Sequence, residues 1–394
     1  MKEKIRVLQV IGSLNNGGSQ SMIMQLYRNL DKSKIQFDFV IFKKDELFYK
    51  DEIEKLGGKI YTLPEYKIYN HFKYKKAWKD FLKQHPEYKI IHSHVRSTAS
   101  IYFKIAKRMG KTTIAHSHST SSGKGLKAIV KTFLQYNLRN VADYCMGCSK
   151  TANIWLYGEK VANSNRAYVF KNSIDTDKFL FNDEIRNKIK NEYKIKDDEI
   201  VIGHVGRFFE VKNHEFLIEI YNAILKKEEK SKLLLVGDGE LRNKIEEKVK
   251  LLGIENQVIF TGNQKNVYEI MQAMDIFIMP SIYEGFPVTL VEAQATGLKC
   301  LITDNITNEV CITNLVEKEA LKNSESIWAE HAVKMLKENV KRCEYNQTVK
   351  KSGYDIKENT KILEEIYERI MAGEKNVLNS IRWCIWIHEH WKMG

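Results

Sequence analysis

The sequence predicts an α/β protein built from two Rossmann-like, doubly wound domains facing each other across a cleft. Three observations predict it. Short apolar runs alternate with helical stretches along most of the chain, the pattern of parallel βαβ units. The alternation comes as two successive series, with a charged stretch between them. The 394 residues exceed one ordinary domain, and 43% of them are hydrophobic, enough for two cores.

The elements follow in order. "KIRVLQVIG" reads as a first strand, too short in its apolar part for a signal peptide. The polar loop "SLNNGGSQ" leads into the helix "SMIMQLYRNL". "FDFVIFKK" is a second strand, and "EIEKLGGKIYTL" a helix, turn and strand. "YKIIHSHV" is a strand followed by the helix "ASIYFKIAKRMG". "TTIAHSH" and "ADYCMGCS" complete the first series. The second series is expected to start near "RAYVFKNSIDTDKF" and continues through the strands "EIVIGHVG", "SKLLLVGDG", "NQVIFTG", "DIFIMPS" and "KCLITDN". Its helices are "EFLIEIYNAILKK", "LRNKIEEKVKLLG" and "VYEIMQAM". The charged stretch at 182–199 is expected to form a helix linking the halves. The predicted domains are 1–170, 171–355 and a late helix with an aromatic tail at 356–394. Open α/β sheets bind ligands beyond the carboxyl ends of their strands, so the cleft must supply the function.

Composition narrows the classes. No apolar run approaches the ~18 residues of a membrane span. Six cysteines in so long a chain suggest a reducing cytosol and no disulfide scaffold. The net charge of +13 is uneven: residues 104–139 hold eight Lys/Arg and no acid, and 67–89 hold seven lysines among Tyr69, Phe72, Tyr74, Trp78 and Phe81. Such a surface is a solvated helix face, a site for an anionic membrane surface or lipid phosphate, or a nucleic-acid patch. The tail carries Trp383, Trp386 and Trp391, which suit packing on the first domain, contact with a membrane interface, or an unusual terminus of no function.

The chemistry concentrates at residues 279–297, "MPSIYEGFPVTLVEAQATG". Pro287 suits a first helical position. The N–H groups of Gly285, Phe286, Val288 and Thr289 then stand free at a helix N-terminus, which attracts anions and sugar oxygens. Gly285 allows close backbone approach. The acceptor-only carboxylate of Glu284 suits hydroxyl groups. Val288, Val291 and Ala295 form the stripe expected to face the sheet, with Glu292 on its shoulder. A half-buried carboxylate there calls for a hydrogen-bonding partner, and a ribose diol offers two donors side by side. Upstream, "GRFFEVKN" places Arg207 and Lys212 after a strand, spaced so that one turn brings both cations over one diphosphate.

These stretches, with "LLLVGDGELR", "VIFTGNQKNV", "VFKNSIDTDKF" and "NNGGSQ", resemble the signatures of family 4 glycosyltransferases of the GT-B architecture, in the expected order over about residues 5–310. Ser173 replaces the usual glycine of the interdomain segment. The resemblance implies a retaining transfer from a nucleotide-diphosphate sugar, first a UDP-sugar, to a glycan or lipid-linked acceptor in exopolysaccharide or capsule synthesis. It implies no cofactor, no metal and no nucleic-acid partner, and a cytoplasmic protein at the inner face of the plasma membrane. Arg207 and Lys212 would neutralise the diphosphate. Glu284 would bind sugar hydroxyls and Glu292 the ribose. Phe286, Pro287 and Val288 would line the backbone site, Val267 would meet the base, and Gly17 and Gly18 would approach the phosphates.

Four histidines end two strands of the first domain: His92 and His94, then His116 and His118. No Asp, Glu or Cys set accompanies them, so a structural or sugar-contacting role is expected ahead of a metal. The family places a sugar-contacting histidine after the later strand, with His118 the first choice and His116 the second. Asp175–Asp177 mimics a metal-binding DxD but sits in the interdomain segment. Cys145 and Cys148 form a lone CxxC, expected to be buried thiols. The alternatives are a GT-B epimerase, which product analysis with and without acceptor separates from a transferase, a non-catalytic nucleotide-sugar-binding protein, and a nucleic-acid binder.

Overall fold

A computed structural model describes residues 4–15, 17–44, 47–119 and 125–381; the tryptophan-rich tail lies outside them. The chain forms two compact units, one of Met1–Ser173 with Ile356–Gly394, the other of Ile174–Asp355.

The first unit is built on a seven-stranded sheet: β1 (Ile5–Val10), β2 (Ile35–Ile41), β3 (Ile60–Thr62), β4 (Ile90–Ser93), β5 (Thr112–Ser117), β6 (Tyr144–Gly147) and β7 (Ala167–Val169). The order is β3-β2-β1-β4-β5-β6-β7, and every pairing is parallel. Helices cover both faces, so strands such as β2 are buried throughout and read as continuous runs. One face packs on Met22, Ile23 and Tyr27 of the Gly18–Asn29 helix and on Leu363, Ile366 and Tyr367 of the C-terminal Ile356–Met371 helix. The other packs on Tyr74, Trp78, Tyr102 and Phe103. The one acid inside β2, Asp38, is fully buried and satisfied: Arg6 donates to both its oxygens at 2.7 Å, and Tyr88 and the Lys59 amide donate at 2.9 and 2.7 Å.

The second unit has six parallel strands: β8 (Ile200–Val205), β9 (Ser231–Val236), β10 (Val258–Gly262), β11 (Ile276–Met279), β12 (Lys299–Thr303) and β13 (Val316–Glu319), in the order β10-β9-β8-β11-β12-β13. In each unit the winding reverses beside the first strand, between β1 and β4 and between β8 and β11. The carboxyl ends of those strands are where a doubly wound sheet offers its ligand crevice.

Three expectations change. The strand in "RAYVF" does not open the second series; β7 pairs with β6 and closes the first sheet. The charged stretch forms the Asp183–Glu192 helix, capped by Asn182 and packed inside the second unit, where Arg186 donates to Asp275 at 2.7 Å. β13 was not anticipated, because "VEKE" is a half-exposed edge strand without an apolar run.

Candidate active site

The loop after β8 begins at Gly206 and carries Arg207. Its shape depends on Gly237 after β9, which has φ +131°; a Cβ there would lie 2.2 Å from the Gly206 carbonyl oxygen. A Cβ on Gly239 would likewise lie 2.7–3.0 Å from Phe208 backbone atoms. The two glycines of "VGDG" therefore let the β8 and β9 loops press together. Arg207 is exposed, its guanidinium 5.4 Å from the Phe209 ring centre.

Lys212 ends a short 3-10 turn, Glu210–Lys212, and Asn213 follows in the left-handed region at φ +56°. Asparagine tolerates that conformation better than most residues. Asn213 Nδ2 donates to the Pro280 carbonyl at 3.1 Å, and the Ile282 amide donates to the Val211 carbonyl at 2.9 Å. These two bonds tie the Lys212 turn to the segment after β11. The consequence is an ion pair: Lys212 Nζ lies 2.6 Å from Glu284 Oε1, with both side chains mostly covered.

Beyond Glu284 the chain turns into the Val288–Ala295 helix. Pro287 is not its first helical residue, as expected, but its N-cap, with ψ 100°. The Leu290 amide donates back to the Pro287 carbonyl at 3.1 Å. The amides of Gly285, Phe286, Val288 and Thr289 donate to no described residue, so the helix end is open to an acceptor. Phe286 is held by stacking on Tyr354, ring centres 5.9 Å apart. Thr289 Oγ1 and Ser281 Oγ are buried without a partner among the described residues.

The helix's buried face also differs from the expected stripe. Leu290, Val291, Ala293, Gln294 and Ala295 are buried, while Val288 is only half-buried at the open end. Gln294 makes this possible: its amide donates to the Leu290 and Val310 carbonyls and accepts from the Ile312 and Thr313 amides. Glu292 lies on the shoulder, half-buried, and its carboxyl makes no hydrogen bond to any described residue. Burial alone pushes its pKa up to about 7. Val267 opens the Val267–Ile270 helix after β10 and is half-buried.

In the first unit, Gly17 caps the Gly18–Asn29 helix in an extended conformation, and a Cβ on Gly18 would meet nothing within 4 Å. The four histidines form a stacked ladder at the ends of β4 and β5. Neighbouring ring centres are 4.3–5.3 Å apart. His92 shares hydrogen bonds with Tyr367 (2.7 Å) and His116 (3.2 Å), and His94 with His118 (2.7 Å) and Gln9 (2.9 Å). Ring nitrogens of His92, His94 and His116 lie within 4.8 Å of one another, a spacing that a metal ion could use. Burial first, and neighbouring positive charge second, lower all four pKa values, His118 to about 4, so the ladder is neutral at pH 7. Asn172 acts against these two effects on His118, while His118 Nδ1, Asn172 Oδ1 and His116 Nε2 are buried without a hydrogen-bond partner among the described residues.

Cys145 and Cys148 are free and buried, and burial raises the Cys145 thiol to about 12. Asp175 and Asp177 each pair with a lysine, Lys178 and Lys350. Sequence reasoning missed the Lys212–Glu284 pair and the anchors Gln9 and Tyr367, which come from elements far apart in the chain. Only Asn213, an asparagine after a short polar turn, carried a local signal.

The fold and this corner together define a glycosyltransferase with two doubly wound domains. Profile comparison agrees: "Glycosyltransferase Family 4" matches residues 16–178 and "Glycosyl transferases group 1" matches residues 185–355. The chain belongs to the family 4 glycosyltransferases of the GT-B fold. It is 33% identical over 369 residues to the putative glycosyltransferase EpsF of Bacillus subtilis, covering 92% of this chain and 96% of that protein. It is 28% identical over 190 residues to the capsular polysaccharide biosynthesis glycosyltransferase CapM of Staphylococcus aureus, covering 46% and 49%. Among solved structures, Anabaena Alr3699/HepE in complex with UDP superposes with a TM-score of 0.76 at 15% identity, covering 93% of this chain and 100% of that one. WaaG, a glycosyltransferase involved in lipopolysaccharide biosynthesis, gives 0.66 at 16%, covering 92% and 99%.

Proposed function

We propose that the protein transfers a sugar from a nucleoside-diphosphate sugar, uridine first among the candidates, to a lipid-linked glycan acceptor of a surface polysaccharide. The anomeric configuration is retained, no cofactor or metal is needed, and the enzyme works at the cytoplasmic face of the membrane. The name of CapM, a capsular polysaccharide biosynthesis glycosyltransferase, supports the acceptor class, and the UDP complex of HepE supports the donor class. One observation carries the reading: four amides at a helix N-terminus, unpartnered among the described residues, stand beside the Lys212–Glu284 pair, with a Glu292 carboxyl on the same helix that likewise bonds to no described residue.

Each group then has a task. The open amides of 285–289, Lys212 and Arg207 take the diphosphate charge, which grows as the anomeric C–O bond breaks. Glu284, oriented by Lys212, accepts from sugar hydroxyls. Glu292 accepts from the ribose diol, Val267 meets the base, and Gly17 and Gly18 approach the phosphates. His118, with His116 second, contacts the transferred sugar as a neutral imidazole. The acceptor oxygen bonds to the anomeric carbon on the face the phosphate leaves, and its proton passes to the departing phosphate oxygen. No carboxylate nucleophile is required.

The test is a thermal-shift screen of UDP-, GDP- and ADP-sugars, followed by proton NMR of the product's anomeric signal. A donor at a hundred times its dissociation constant stabilises by roughly 2.7 kcal/mol. Absence of any nucleotide-dependent shift refutes the donor site, and an inverted product refutes retention.

A further inference from the structure

We propose that the first unit carries a docking surface for an anionic lipid bilayer, formed by Ile68, Tyr69 and Phe72 and by Ile129, Phe133 and Tyr136 among exposed lysines. It deepens the lipid-linked-acceptor reading by naming where the membrane is met, but it stands on separate residues.

The first patch lies at the entry to the His71–Gln84 helix. Ile68, Tyr69 and Phe72 are 70%, 83% and 84% exposed. They are not displaced core residues, because the helix's inward face is already filled by Tyr74, Trp78, Phe81 and Leu82, all buried. Phe72 lies about 200° round from Tyr74, at 100° per residue. The second patch is the outward face of the Leu126–Tyr136 helix. Ile129, Phe133 and Tyr136 follow the i, i+4, i+7 spacing of a helical face and are 66%, 82% and 60% exposed. A surface helix ordinarily turns that stripe toward the core. Among the described side chains of this helix, 129–136, the buried one is Gln135 instead.

Charge selects the occupant. Lys67, Lys73, Lys75 and Lys76 are exposed around the first patch; among the described residues Lys76 alone of these forms an ion pair, with Asp80, and Lys67 Nζ lies 5.9 Å from the Tyr69 ring centre. The Ala99–Arg108 helix contacts both patch-bearing helices and exposes Lys104 and Arg108. A second copy of this chain would bring these lysines against one another. A nucleic acid would leave Ile68 and Ile129 unused. Aromatic and aliphatic side chains ringed by lysines match the boundary of an anionic bilayer, where apolar groups enter the headgroup region and cations meet lipid phosphates. Among the described residues no helix is long and apolar enough to cross a membrane, so the contact is peripheral.

The experiment is flotation of the full chain with phosphatidylcholine vesicles, with and without phosphatidylglycerol, at low and high salt. Binding is expected only with phosphatidylglycerol and should weaken as salt rises. Phe72→Ser with Phe133→Ser, and separately Lys73→Glu with Lys75→Glu, should each lower partitioning by about tenfold or more. Both variants should keep the wild-type melting temperature and the same shift with donor, which separates lost docking from lost folding. A donor shift without vesicle binding overturns the docking surface and leaves the donor site intact; vesicle binding without a donor shift does the reverse. Unchanged partitioning of both variants, or a dimer in light scattering that the same substitutions dissolve, overturns the proposal, as does preferential binding of RNA.

Discussion

Replacing Glu292 by Gln should stabilise the protein at pH 8 and do almost nothing at pH 4. Burial raises the carboxyl from its usual 4.5 to about 7 in the folded state. The unfolded chain releases its proton near 4.5, so between these values the native state holds one proton more. Stability therefore falls as pH rises through that window. A shift of that size corresponds to a ceiling of ~3 kcal/mol at ~1.4 kcal/mol per unit. The carboxylate keeps some contact with water, which screens it and reduces the expected cost to about 1–2 kcal/mol. In a domain of this size that is roughly 2–8 °C in melting temperature. Differential scanning fluorimetry of both proteins across pH 4–8 reads the gap, which should open with rising pH. A second readout follows if Glu292 accepts from a ribose diol: hydroxyl donors favour the ionised form, so donor binding near pH 6.5 should expel protons. Calorimetry in two buffers of different ionisation enthalpy detects that release, and the Gln variant should lack it. A gap that is constant from pH 4 to 8 refutes the burial reasoning, and proton-neutral donor binding by the wild type refutes the diol assignment.

Lys212→Ala should weaken donor binding at least tenfold and also cost about 1–2 kcal/mol of stability, because Glu284 loses its partner in a mostly covered position; a double-mutant cycle with Glu284→Gln should recover most of the stability but none of the affinity. Gly237→Ala should cost roughly 2 kcal/mol or more, since a Cβ would lie 2.2 Å from the Gly206 carbonyl oxygen at φ +131°; chemical denaturation reads it. Tyr367→Phe should cost about 1–2 kcal/mol by freeing His92 Nδ1 and Gln9 Nε2, and limited proteolysis should then release the Ile356–Met371 helix sooner than in the wild type.

Much of the fold was legible because its causes are local. An all-parallel sheet buries both faces, so runs such as "LLLV" and "DIFIM" announce themselves. The exceptions fail for the same reason: β13 is a polar edge, and β7 reads like any other short strand. Only pairing with β6 tells which sheet it joins. The open helix end at 285–289 was legible in "EGFPVTL", although the helix begins one residue later than proline's preference suggests.

The sequence by itself determined the alternation of strands and helices and the residue types at the donor corner. It also placed four histidines at two strand ends, since each of these depends on neighbours a few positions away. Only the tertiary structure decided that Lys212 grips Glu284, that Glu292 bonds to no other described residue, and that Tyr367 and Gln9 hold the histidine ladder. Those facts join residues 72 to 275 positions apart, and burial and pairing at such separations arise from packing, which no local pattern encodes.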